Sequence, residues 1–313
     1  MVNNPYTHRP VLLDEVIEAL NIRDDGIYVD GTFGRGGHAN AILNRLGDKG
    51  HLFAMDKDPQ AVSAAKQLFA NDARFSIEHG SFAQLQHHIA ARHWLGKIDG
   101  ILLDLGVSSP QLDDANRGFS FRREGALDMR MDTSGGISAE QWINQAGETT
   151  LAQVFRDYGE ERFAKRIARA IVKSRSETPI RTTTQLAKII ADANPAWEQG
   201  KDPATRCFQA IRIFINKELE DLQQFLPQSL ALLSKGGRLA VISFHSLEDR
   251  IVKRFIRDQS RGDHYPPDLP IQAALIKPKL RPVGKAIYPD EHEVNVNPRA
   301  RSAVLRVAER AGD

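Results

Sequence analysis

Three short apolar runs near the start of the chain each end on an aspartate, and each is followed by turn or helix signals. They are Ile27-Tyr28-Val29-Asp30, Leu52-Phe53-Ala54-Met55-Asp56 and Ile98 to Leu103 closing at Asp104. A fourth run, Phe75 to His79, lies between the second and third. The intervening segments carry helical spacing from His38 to Leu46, from Pro59 to Phe69 and from Ser81 to Trp94. Four strand–helix units in succession predict a parallel sheet with helices on both faces. In such a sheet ligands collect where strands end, so an acid at the end of three strands marks one edge as polar.

The alternation stops after Asp104. From Gly106 to about Ala204 the pattern is loops and helices, over Ser138 to Ala146, Thr149 to Arg175 and Thr183 to Ala193. The strand–helix rhythm then returns. Arg206 to Leu233 reads as helix interrupted near Pro227, Lys235-Gly236-Gly237 as a turn, Arg238 to Phe244 as a strand and Glu248 to Asp258 as a helix. A proline-bearing stretch from Asp263 to Arg281 reads as extended, and Arg301 to Arg310 as the last strand. The expected division is therefore 1–105 and 205–313 for an α/β domain in two parts, with 106–204 as an inserted helical substrate-recognition domain.

Composition narrows the setting. Hydrophobic residues are 41% and charged residues 26% of 313, which is ordinary for a chain that buries a large core. The single cysteine, Cys207, excludes an internal disulfide and a cysteine metal cluster, and fits a reducing, cytoplasmic setting. No metal is expected. The start is not a signal peptide, and no run approaches the roughly 20 apolar residues that span a bilayer. Charge is unevenly spread. Met1 to Gln60 holds six Lys/Arg against nine Asp/Glu, Arg156 to Arg181 eight against four, and Arg250 to Asp313 thirteen against eight. Basic later segments are compatible with a phosphate-bearing partner and equally with solvated helix faces.

The loop Asp30-Gly31-Thr32-Phe33-Gly34-Arg35-Gly36-Gly37-His38 lets the backbone turn sharply beside a ligand. It is neither the dinucleotide G-x-G-x-x-G nor a P-loop. Asp56, 20 residues beyond Gly36, stands where a carboxylate accepts the hydroxyls of a ribose. Asp30 suits the cationic end of a ligand, Phe82 either an adenine face or an ordinary core position, and Asp104 the reacting centre. That set suits S-adenosylmethionine better than a nicotinamide. The segment Leu232 to Ser243, with Lys235-Gly236-Gly237 in it, resembles the helix-Gly-Gly-strand unit of Rossmann-like class I methyltransferases, which implies a seven-stranded sheet whose last strand is antiparallel.

Longer motifs carry a narrower resemblance. They are Val11 to Glu15, Asp30 to His38, Leu103 to Asp113, Arg117 to Phe121, Leu127 to Met131, Tyr158 to Glu161, Phe244 to Arg250 and Asn297 to Ser302. Together they resemble the bacterial 16S rRNA cytosine-N4 methyltransferase family, from about Thr7 to Arg310. The resemblance implies methylation of the exocyclic N4 of a cytosine in the decoding region, in the cytoplasm, with 16S rRNA of the small ribosomal subunit as partner. It implies cofactor contacts at Gly36, Gly37, His38, Asp56, Phe82, Asp104 and Gln111.

For the chemistry, the residues singled out are Asp104, Ser109, Pro110 and His245. An exocyclic amine is a weak nucleophile that needs acceptors to hold its protons and aim its lone pair. Ser108-Ser109-Pro110-Gln111 stands where amino methyltransferases carry an Asp/Asn/Ser-Pro-Pro-aromatic motif, but lacks the second proline and the aromatic. Phe119 and Phe121 are therefore candidates to stack on the base, and also candidates for hydrophobic docking. His245 and Asp249 follow the fifth strand, and Arg250, Arg299 and Arg301 suit phosphates. The residues alone leave open a DNA or protein acceptor, an assembly factor with catalysis secondary, and a homodimer.

Overall fold

The computed structural model describes residues 9–196, 202–262 and 277–312. Most of the stretch expected to be extended, Asp263 to Arg281, falls outside them. The chain divides into two compact units, one of Met1–Gly106 with Leu219–Asp313 and the other of Val107–Glu218.

The first unit opens with α1 (Leu13–Leu20) and then alternates β1 (Ile27–Asp30), α2 (Gly37–Leu43), β2 (His51–Asp56), α3 (Pro59–Leu68), β3 (Phe75–His79), α4 (Leu85–Ala91) and β4 (Ile98–Asp104). The second unit holds α5 (Ser109–Asp113), α6 (Ala139–Gln145), α7 (Glu148–Gly159), α8 (Ala164–Glu177), α9 (Thr183–Ala193) and α10 (Ala204–Asn216). The first unit resumes through α11 (Glu218–Leu232), β5 (Leu233–Ser243), α12 (Ser246–Ser260), β6 (Leu280–Pro282), α13 (Glu291–Val296) and β7 (Val304–Arg310).

The seven strands form one sheet in the order β3-β2-β1-β4-β5-β7-β6. β1 to β5 run parallel, and β7 runs antiparallel to β5 and to β6. Side chains on a strand alternate between faces, and β2 shows both faces buried. Leu52 and Ala54 join a core with Leu20, Leu102 and Ile242, whereas Phe53 and Met55 join another with Leu85, Leu103 and Phe225. Burial on both faces is why these strands read as unbroken apolar runs. The polar positions are left to their ends. Asp30, Asp56, Asp104 and Ser243 all close strands at one edge.

Several boundaries differ from the sequence reading. α10 was expected to belong to the returning α/β part and instead belongs to the inserted unit. Asn216 explains this: its side chain donates to the carbonyl of Met129 and accepts from the N–H of Met131, at 2.8 and 2.7 Å. Gly159 of α7 lies so close to α10 that a β-carbon would stand 2.6 Å from the carbonyl of Arg206. The helix break expected near Pro227 occurs at Lys217, whose φ of 52° ends α10. Pro227 sits inside α11. The helix expected over Thr149 to Arg175 is two, because Glu160 adopts φ 49° and ends α7. The turn expected at Lys235 to Gly237 is a bulge within β5, where Leu233 pairs with Ile98 and Arg238 with Gly100. No helix among the described residues is long and apolar enough to cross a membrane.

Candidate active site

The loop after β1 is shaped from both sides. Gly31 passes so near β4 that a β-carbon would lie 2.5 Å from Leu103 Cδ2, and Gly36, the cap of α2, has φ +74°, a region that favours glycine. Gly37 leaves similarly little room, 2.3 Å from Pro10 Cγ. Asp56 holds this loop from β2. One carboxylate oxygen accepts the N–H of Gly34 at 2.7 Å and the other that of Asp58 at 2.8 Å. Each oxygen keeps a further lone pair. Burial pushes the Asp56 carboxyl up to about 6, against the opposing pull of those two N–H groups.

Beside it lies a cluster of buried acids. Asp30 is 1% exposed. One of its oxygens accepts the Thr32 N–H at 3.1 Å and the other has no partner. Asp104 is fixed through its backbone, whose N–H donates to Thr32 Oγ1 at 2.6 Å, and its Oδ1 is buried without a partner. Asp104 Oδ2 faces His38 Nδ1 at 3.5 Å, and His38 Nε2 bonds the carbonyl of Val11 at 3.1 Å. Burial holds His38 down to about 4, so the ring is neutral near pH 7. Burial, then the nearby Asp30 and Glu248, push Asp104 up to about 8. Burial likewise raises Asp30 to about 7, with Asp56 adding to it. Such a pocket disfavours further negative charge and is poised to receive a cation.

His245 caps α12 in a capping box with Glu248, and its Nε2 stands 3.2 Å from Glu248 Oε1. Glu248 is buried and accepts the N–H of Phe244 at 2.8 Å. Ser243 Oγ is also buried without a partner. Gly36, Gly37, His38, Asp56, Asp104 and His245 are thus brought to one edge of the first unit. Phe82 begins the turn after β3, but its ring packs edge-on against Phe225 at 5.7 Å and only 7% of it is exposed. Asp249 is engaged by Arg306 through two contacts of 2.6 and 3.1 Å, which makes it a tie between α12 and β7. Arg250, Arg299 and Arg301 are exposed. The two later ones occupy a short turn leading to Val304, which pairs with Ser243 at the ligand edge.

In the inserted unit, Ser109 and Pro110 open α5, and Gln111 is buried, its side-chain oxygen accepting the N–H of Ser108 at 2.9 Å. Phe119 belongs to the apolar core of this unit, and Phe121 packs on Phe208 at 4.7 Å. Hydrophobic packing therefore accounts for both rings. Cys207 is fully buried in that core, and burial raises its thiol well above the usual range. It is no nucleophile. Cys207→Ala is expected to keep the methyl transfer that the sequence resemblance implies, because an amine attacking a sulfonium needs no thiolate. A folded variant without activity in a labelled-methyl assay overturns that.

Sequence reading missed Thr32, which ties Asp104 to the loop, and the set around Asp221. Asp221 accepts from Ser81 Oγ and pairs with Lys57 Nζ at 2.6 Å, joining the ends of β2 and β3 to α11. Neither had a signal beyond lying near a strand-end acid.

A parallel sheet with a reversed β7 between β5 and β6, and with acids closing β1, β2 and β4, defines the class I methyltransferase fold. The chain belongs to the MraW methylase family, whose profile matches residues 5–311. It is 59% identical over 303 residues to ribosomal RNA small subunit methyltransferase H of Coxiella burnetii (strain RSA 331 / Henzerling II), covering 97% of this chain and 98% of that one. The same protein of strain CbuK_Q154 matches equally. Among solved structures, an rRNA methylase from Streptococcus thermophilus aligns over 100% of this chain and 99% of its own, with 12% identity and a TM-score of 0.43.

Proposed function

We propose that this chain transfers the methyl group of S-adenosylmethionine to the exocyclic N4 of a cytosine in the decoding region of 16S rRNA, within the small ribosomal subunit and in the cytoplasm. The observation that carries the cofactor is the pair of buried, unpartnered carboxylate oxygens on Asp30 and Asp104 at the strand-end edge. Unpaired acids of this kind are tolerated where a ligand completes them. Family membership and the names of the relatives carry the acceptor.

Bound S-adenosylmethionine supplies an electrophilic methyl on a positively charged sulfur. Asp56 accepts the ribose hydroxyls with the lone pairs left beside Gly34 and Asp58. Gly36 and Gly37 would let the backbone approach the cofactor, and Asp30 and Asp104 would offer their unpartnered oxygens to its positive end. Phe82 is the further cofactor contact that the sequence resemblance adds within the first unit. For the acceptor, Asp104 and His245 are the residues assigned to hold the amine protons and free the nitrogen lone pair. A cytosine stacked in RNA hides that amine, so the target is taken as an unstacked nucleotide.

The direct test incubates the protein with labelled S-adenosylmethionine and small subunits that lack the modification, then maps the nucleoside. N4-methylcytidine in the decoding region is expected. Label on another base, on ribosomal protein or nowhere sinks the reading. Arg299 and Arg301 are assigned to flanking phosphates. Losing one such contact should weaken subunit binding and lower its salt slope by about 0.7–0.9, while cofactor affinity is unchanged. Equal slopes for Arg299→Ala, Arg301→Ala and wild type place the RNA elsewhere.

A further inference from the structure

The edge that receives the cofactor holds more acid than a ligand-free protein keeps charged. Asp104 of β4 faces His38 of α2, and the charged groups acting on it are Asp30 of β1 and Glu248 of α12, both acids. Asp56 acts in turn on Asp30, and Glu248 stands beside His245. His38 uses Nε2–H on the Val11 carbonyl, which leaves Nδ1 as a lone pair in the neutral ring. A lone pair and a charged oxygen repel, so the arrangement favours a protonated Asp104 carboxyl turned toward Nδ1. The other oxygen, Oδ1, is buried without a partner, as is Oδ2 of Asp30.

We propose that Asp104, seated against His38, is a proton-storing counter-ion that releases its proton when the cationic cofactor binds and takes one back in the course of methyl transfer. The inference rests on the S-adenosylmethionine reading and deepens it. The balance closes without a further reactant. The cytosine N4 lone pair forms the new N–C bond, and the S–C pair leaves with sulfur, which becomes a neutral thioether. The nitrogen then holds one proton too many. The Asp104 carboxylate, no longer opposed by a positive sulfur and still beside Asp30 and Glu248, accepts it. The next cofactor drives that proton to water. Raised carboxyls at Asp104 and Asp30, near 8 and 7, place this exchange in the neutral range.

S-adenosylmethionine and S-adenosylhomocysteine share the ribose, the adenine and both ends of the amino acid, and differ in the methyl group and the positive charge it gives the sulfur. Calorimetric titration of the intact protein with each, in buffers of unequal ionisation enthalpy, counts the protons exchanged. At pH 7 the methyl-bearing ligand is expected to release close to one proton more than the product. Its affinity is expected to fall by up to about tenfold per pH unit as pH drops below 8, while the product's changes much less. In Asp104→Asn the extra proton and the pH dependence should both shrink to what Asp30 contributes, with the affinity preference for the charged ligand reduced. Equal proton counts for the two ligands, or heats of S-adenosylmethionine binding that ignore the buffer, overturn the proposal. Absence of heat with either ligand overturns the cofactor reading itself, and this inference with it.

Discussion

Asp56→Ala is expected to lose S-adenosylmethionine affinity by roughly 10- to 150-fold, the equivalent of about 1.5–3 kcal/mol for hydrogen bonds to a charged group. Loss of the ribose contacts is only part of the effect. The same carboxylate accepts the N–H of Gly34 in the loop after β1 and that of Asp58 at the start of α3. Alanine leaves both donors unmatched and lets the glycine loop move. Asp56→Asn does not rescue the geometry, because its amide turns an N–H toward one of those backbone donors. Core packing of β2 is carried by Leu52, Phe53, Ala54 and Met55, so the fold should survive. Circular dichroism establishes folding, and calorimetry gives the dissociation constant. Wild-type affinity in a folded Asp56→Ala protein removes Asp56 from the site.

The features legible in the sequence are those set by local chemistry. A strand buried on both faces must be apolar almost throughout, so β1, β2 and β4 stand out, and the acids that end them mark the ligand edge. Glycines that meet Leu103, Phe33 and Pro10 at short range are visible as a glycine-rich loop. Breaks that depend on single residues in left-handed backbone were not legible. Lys217 and Glu160 end helices with positive φ, and neither is a residue type that announces a stop. Pro227 carried the breaking signal and sits within α11. The end of the inserted unit was missed for a related reason. α10 is amphipathic like its neighbours, and its membership is decided by Asn216 reaching 87 residues back to Met129. At the site, the aspartates were visible as residues. Their protonation was not, because it comes from burial and from acids that four separate elements bring together. The rings of Phe119 and Phe121 show the converse. Aromatic residues near a motif resemble a stacking platform until their packing partners, such as Phe208, are known.

Asp104→Asn is expected to make the ligand-free protein more stable while impairing its use of the cofactor. A carboxyl raised from 3.8 to about 8 by burial, Asp30 and Glu248 is harder to ionise folded than unfolded. Between those two values the folded state binds more protons, so the stabilising protonation is fully present below the unfolded value and is lost as pH rises through 8. The difference amounts to several kcal/mol at about 1.4 kcal/mol per unit. His38 works the other way, but its lowered value near 4 confines it to pH below its unfolded 6.5. The clear window is therefore pH 6.5 to 8, where Asp30 adds to Asp104 in the same direction up to about pH 7. Across it, the melting temperature of ligand-free wild type should fall as pH rises. Asparagine keeps the size of the side chain, can donate an amide N–H toward His38 Nδ1 and never ionises, so Asp104→Asn should melt higher than wild type at pH 8, by a margin that narrows as pH falls to 6.5 and closes only near the unfolded carboxyl value of 3.8. S-adenosylmethionine, by supplying a cation to the charged cluster, should flatten the wild-type slope and stabilise the variant far less. Stability is given up at this edge so that charge is available when the ligand arrives. A wild-type melting temperature that rises from pH 6.5 to 8, or a variant that melts below wild type at pH 8, would mean that Asp104 is already charged in the ligand-free protein.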